Sequence, residues 1–203
     1  MAGAWLLQKY MQAQQTDSSH ILQYLQTVVK MTGMFLAGVA VVPFYLCESA
    51  KEKEENKQPL HKKDIAGMII LGAVLGLGLN YLFAILGFTE SSENYRQVAQ
   101  AQLGLPLWLG IVFYGILSPV VEELVFRGIV FRFLKRQMET LAAAIGAALL
   151  FGGFHGNIVQ MIYGSLMGIV LAICYEKYGK LGAPVWVHSA ANIAVYTVLT
   201  FIG

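Results

Sequence analysis

Charge is what this sequence has least of. Asp, Glu, Lys and Arg together make up 13% of its 203 residues, about half the share found in a soluble domain. With 57% hydrophobic residues and a mean hydropathy of +0.59, a soluble fold of this length would have too little interior to hide its apolar surface. The expected fold class is therefore all-α, a polytopic integral membrane bundle. A net charge of +2 leaves no basic face once the loops are assigned, which argues against a nucleic-acid partner. Cysteine is nearly absent. Cys47 and Cys174 lie at or in apolar segments, show no disulfide or metal-site spacing, and read as small buried hydrophobes. The N-terminal stretch MAGAWLLQKYMQAQQ lacks a basic region followed by an apolar core and a small-residue cleavage site, so no removable signal peptide is expected. Internal repeats and low-complexity tracts are not evident.

What the chain does have is long apolar runs. Six could cross about 30 Å of hydrocarbon: residues 31–47, 65–88, 105–131, 140–155, 158–175 and 182–202. The fourth is short for a span and is expected to shelter among its neighbours. Residues 1–30 mix glutamines with Trp5, Leu6, Leu7 and Tyr10, compatible with an interfacial helix or a frayed tail, with the helix favoured. The one strongly charged linker is ESAKEKEENKQPLHKKD, residues 48–64. Residues 1–104 then form an N-terminal part with two spans, and residues 105–203 a second part. The loops after spans one, three and five hold Lys51, Lys53, Lys57, Lys62, Lys63, Arg132, Lys135, Arg136, Lys177 and Lys180. The other side holds Lys9, Lys30 and Arg96. Ten against three predicts cytoplasmic charged loops and both termini outside. The GxxxG pairs Gly72/Gly76 and Gly164/Gly168 predict close helix approach.

Against this background two carboxylates stand out. Of twelve acidic residues, Glu122 and Glu123 lie inside an apolar run, as do His155 and His188 of the four histidines. An ionisable group in the bilayer core costs a few kcal/mol on insertion scales, so such residues are site candidates by default. Glu123 and Arg127 are four apart with the acid first, the favourable order for a pair on one helix face. Glu122 points about 100° away and is left free for chemistry. Glu122 lies 16 residues before the charged turn near residue 138 and His155 lies 17 after it. At ~1.5 Å per residue both sit about 24 Å from that turn. His188, about 15 Å in from the same side, carries Asn192 one turn deeper on its own face. The four groups are expected to converge on one cavity, and Pro119 with Ser118 could open the helix locally and admit water.

Three motifs stand in order: Glu122-Glu123-x-x-x-Arg127, Phe151-x-x-x-His155 and His188-x-x-x-Asn192. Together, on separate hydrophobic segments, they resemble the CAAX-protease and bacteriocin-processing (CPBP, or Abi) family of intramembrane endopeptidases. The resemblance covers residues 105–203, which makes this part the expected catalytic membrane core. It implies that Glu122 and His155 hold and activate a water, and that His188 and Asn192 donate to the developing oxyanion. Glu123, Arg127 and Phe151 give structural support. No cofactor is implied; the alternative is zinc held by Glu122, His155 and His188, although HExxH is absent and asparagine is a poor ligand. The implied partners are the lipid bilayer and a peptide or protein substrate, either membrane-bound or C-terminally lipidated. A short chain of this kind looks like a plasma-membrane protein of a prokaryote.

Two rival classes remain open at this stage. Buried Glu and His could form the relay of an ion or proton transporter, or the fold could serve as an inactive membrane adaptor or chaperone. A closed-ended pocket around Glu122, His155 and His188 favours the protease, and a path through the bilayer favours transport.

Overall fold

The computed structural model describes residue 29, residues 32–47, residue 49 and residues 59–202. The interfacial helix expected in residues 1–30 and most of the charged linker fall outside these. The described chain is a bundle of helices α1 (Thr32–Cys47), α2 (Lys62–Ile85), α3 (Glu93–Leu103), α4 (Leu107–Lys135), α5 (Thr140–Gly153), α6 (Ile158–Tyr178) and α7 (Gly182–Ile202), with a short helical turn at Phe88–Ser91. Four of them, α2, α4, α6 and α7, are long and apolar enough to cross a membrane. Of the six expected spans, α1 and α5 are the short ones. At ~1.5 Å per residue, the 14 residues of α5 reach about 21 Å, less than the hydrocarbon thickness.

Glycine and proline set the helix ends. α2 runs into Gly87, with φ of 72°, and α6 into Gly179, with φ of 61° and its N–H donating to the Tyr175 carbonyl. α5 stops at Gly153, short of the end of the apolar run 140–155. His155 therefore sits in the turn between α5 and α6, beside Gly156 with φ of 73°, and not in a span. Three glycines in five residues weaken the helix there. Asn157 then starts α6, its side-chain oxygen accepting from the Gln160 N–H at 2.8 Å.

α2 packs along α7 and α5 along α6, while α4 runs between the two pairs. The GxxxG pairs make these approaches possible. A Cβ on Gly72 would lie 2.0 Å from the Val187 carbonyl oxygen, and one on Gly76 would lie 2.9 Å from the Ala191 Cα. A Cβ on Gly168 would lie 2.9 Å from the Ala148 Cα. At Gly72 the obstacle is backbone, so it cannot rotate aside. Gly72→Ala should push α7 outward and destabilise the protein by about 1–3 kcal/mol. His188 would move with α7, so activity should fall as well. Thermal unfolding in detergent checks this, and a wild-type midpoint would show that the contact is not as tight as described.

At the end of the bundle bearing the basic loops the helices close on two packed clusters. One contains Phe131, Ala143, Ala147 and Tyr175, the other Met68, Leu171, Cys174 and Val187. The opposite end is looser, and there α3 lies over a cavity.

Candidate active site

α4 is not a regular α-helix. Its hydrogen bonds widen to the π pattern at Ile111–Leu117 and again at Phe126–Phe131, on either side of an α-helical segment Ser118–Val125 that carries both glutamates. Pro119 supplies a cause for the first widening. The Ser118 N–H bonds to the Phe113 carbonyl, five residues back, and Pro119 has no N–H to offer. The Tyr114 carbonyl is thereby released from the helix ladder. Asn192 of α7 takes it, its Nδ2 donating to that oxygen at 2.9 Å. A proline in an apolar helix thus fixes the orientation of an amide on another helix.

Glu123 and Arg127 are fully buried and pair as their spacing predicts, with Arg127 Nη1 donating to Glu123 Oε1 at 2.9 Å. Arg127 does more than this. Its Nη2 donates to the Gly168 carbonyl at 3.0 Å, and its guanidinium lies 4.7 Å from the centroid of the Phe151 ring. Glu123 Oε1 is also 2.8 Å from His188 Nδ1, a contact between residues 65 apart that helix-face reasoning had not reached. So the supporting pair holds a histidine as well as a helix. A carboxylate oxygen accepts, so Nδ1 of His188 carries a proton, and Nε2 faces Glu122 Oε2 at 3.7 Å.

His155 is oriented in a similar way. Its Nδ1 is 2.9 Å from the Phe151 carbonyl oxygen, which can only accept. Nδ1 therefore bears the hydrogen, and in the neutral ring Nε2 keeps its lone pair. Phe151 is the hub of the site. Its ring meets His155 and His188 edge to face at centroid distances of 5.1 and 5.6 Å, with Arg127 on it as well. Phe126 packs edge-on against it at 5.1 Å. The Phe-x-x-x-His spacing acquires a physical meaning: the ring props the histidine one turn further on, and its own carbonyl sets the tautomer.

Glu122 is 7% exposed, and Ser118, one turn earlier, donates its hydroxyl hydrogen to Glu122 Oε1. Ser118, Glu122, His155, His188 and Asn192 all line one cavity of about 450 Å³. The rest of the wall is mostly apolar, with Phe83, Val159, Val195 and Leu199 among its residues. α3 contributes Tyr95, Val98, Ala99, Gln102 and Leu103 and covers the cavity at the end away from the basic loops. Tyr196 fastens that cover from α7, its hydroxyl reaching the Gln102 carbonyl at 3.2 Å and that of Leu105 at 3.4 Å. Burial raises the Tyr95 phenol above its ordinary pKa, so Tyr95 stays protonated beside its partner Asn80.

Glu122, His155 and His188 share the cavity, yet among the described residues no three of His, Cys, Asp and Glu are grouped so that they could hold a metal ion.

Residues 104–194, which contain all three motifs, match the family model described as type II CAAX prenyl endopeptidase Rce1-like. Residues 104–194 form an Rce1-like domain. That match, together with the helices of spanning length, supports an intramembrane protease, a hydrolase of peptide bonds. Three relatives are also similar to this chain. The Bacillus subtilis (strain 168) protein named as membrane peptidase YdiL is 26% identical over 196 residues, covering 92% of this chain and 76% of the relative. The membrane-embedded CAAX protease MroQ of Staphylococcus aureus (strain USA300) is 25% identical over 159 residues, covering 70% and 63%. The UPF0177 protein YbdI of Lactococcus lactis subsp. lactis (strain IL1403) is 25% identical over 134 residues, covering 64% and 72%. No solved structure matches the chain. The YdiL match extends well before the Rce1-like domain, into the part that holds α1 to α3.

Proposed function

We propose that the protein is a glutamate-dependent, metal-independent intramembrane endopeptidase whose attacking group is a water held by Glu122 and His155. Glu122 takes a proton from that water as its oxygen adds to the carbonyl carbon of the scissile peptide. His155 Nε2, with its lone pair directed away from the Phe151 carbonyl, accepts the water's second hydrogen bond. The carbonyl oxygen becomes an oxyanion, met by Asn192 Nδ2, whose other hydrogen is committed to Tyr114. His188 lies beside the two carboxylates, with Nδ1 on Glu123 and Nε2 facing Glu122 Oε2, and in its doubly protonated form it is the second donor, from Nε2. Collapse of the intermediate breaks the C–N bond, and the proton on Glu122 passes to the leaving amine. Preorganised donors act in such a site without having to displace solvent.

One observation carries this reading: Glu122, His155, His188 and Asn192, from three parts of the chain far apart in sequence, line a single cavity. The substrate is read as a peptide segment reached from the bilayer, since most of the cavity wall is apolar. The plasma membrane of a prokaryote, with the basic loops cytoplasmic, remains the localisation we favour.

The test uses purified protein in lipid nanodiscs with a quenched fluorogenic peptide library. Asn192→Ala should lower turnover about a hundredfold, the usual effect of losing one oxyanion donor. Strong chelators should leave wild-type turnover unchanged. Loss of activity on chelation that added zinc restores would contradict the metal-independent mechanism.

A further inference from the structure

We propose that Ser118 is a positioning residue for Glu122: its hydroxyl fixes Oε1 so that Oε2 is the oxygen that receives the proton of the attacking water. This rests on the reading of Glu122 as the base.

A serine inside a helix usually turns its hydroxyl back to the carbonyl four residues earlier. For Ser118 that carbonyl belongs to Tyr114, and Asn192 is bonded to it. The Ser118 hydroxyl points forward instead and donates to Glu122 Oε1. Both residues are buried, at 8% and 7% exposure, and both line the cavity. Oε2 of the same carboxylate faces His188 Nε2 at 3.7 Å. Among the described residues, Ser118 is the hydrogen-bond donor that reaches Oε1. Without it the carboxylate is free to rotate about its terminal torsion, which is intrinsically broad. Both oxygens then exchange places, and the line from Oε2 to the carbonyl carbon is lost for part of the time. The Pro119 break in the helix therefore serves two purposes, freeing a carbonyl for Asn192 and turning a hydroxyl towards Glu122.

Two readouts test the proposal. The first is turnover of the fluorogenic library in nanodiscs. Ser118→Ala should lower kcat about 10- to 100-fold, the range for losing one hydrogen bond to a charged group, with KM and folded yield near wild type. Ser118→Thr, which keeps the hydroxyl, should restore most of kcat. In a Glu122→Gln background, Ser118→Ala should cause no further loss. Unchanged kcat in Ser118→Ala would overturn the role. So would a loss as complete as that of Glu122→Gln, which would make the hydroxyl a nucleophile.

The second readout does not depend on activity. The carboxylate stretching bands that Glu122→Gln deletes from the infrared spectrum should shift in Ser118→Ala and return to their wild-type positions in Ser118→Thr. A band unmoved by Ser118→Ala would mean that the bond does not exist in the protein. Equal turnover by wild type and Glu122→Gln would instead sink the endopeptidase mechanism while leaving the infrared result to judge the contact.

Discussion

Arg127→Ala should yield little folded protein. The guanidinium holds a fully buried carboxylate, the Gly168 carbonyl of α6 and the face of Phe151, so its removal leaves Glu123 charged and only partly compensated. Breaking one side of a buried pair in this way is expected to cost about 3–5 kcal/mol. The pair as a whole is a different matter. Replacing both members by apolar residues of similar size, as in Glu123→Leu with Arg127→Met, should recover much of the folded yield. Activity should not return, because His188 then lacks the carboxylate at its Nδ1. Size-exclusion profiles in detergent separate the outcomes. A normal yield for Arg127→Ala would remove the bracing role, and an active double variant would remove the link from Glu123 to His188.

Glu122→Gln should give the converse result, a protein that folds and does not cut. Glutamine has the shape of glutamate and can still accept from Ser118 through its amide oxygen, so the wall of the cavity is preserved. What it cannot do is take a proton. Loss of a positioned general base lowers turnover by a factor on the order of a thousand. The thermal midpoint should stay close to that of the wild type. Turnover within a few-fold of the wild type would show that another group is the base.

Much of this site can be read before any coordinates exist. Glu122, Glu123, His155 and His188 announce themselves as ionisable groups in apolar runs, and the i, i+4 spacing identifies the Glu123–Arg127 pair. Gly72 and Gly76 mark a close helix approach in the sequence, while the identity of the neighbour, α7, comes from the packing. Other features leave a fainter trace. α3 is polar enough to pass for a loop, with Glu93 and Arg96 on it, and its cavity-facing stripe of Tyr95, Val98, Ala99 and Gln102 shows only as a weak helical period. The bond from Glu123 to His188 joins helices far apart in sequence, and no local spacing encodes it. The π turns of α4 have one local sign, Pro119, whose consequence for Asn192 depends on where α7 packs. His155 was expected in a span because its run stays apolar, whereas three small glycines end the helix before it.

The central claim, that Glu122 drives peptide hydrolysis in the membrane, is tested most directly by comparing protein termini. Membrane fractions from host cells making wild-type or Glu122→Gln protein at equal levels would be labelled at free N-termini and sequenced by mass spectrometry. The account predicts new termini, within or beside apolar segments, that occur with the wild type and are absent with Glu122→Gln. The same set of termini in both samples would contradict it.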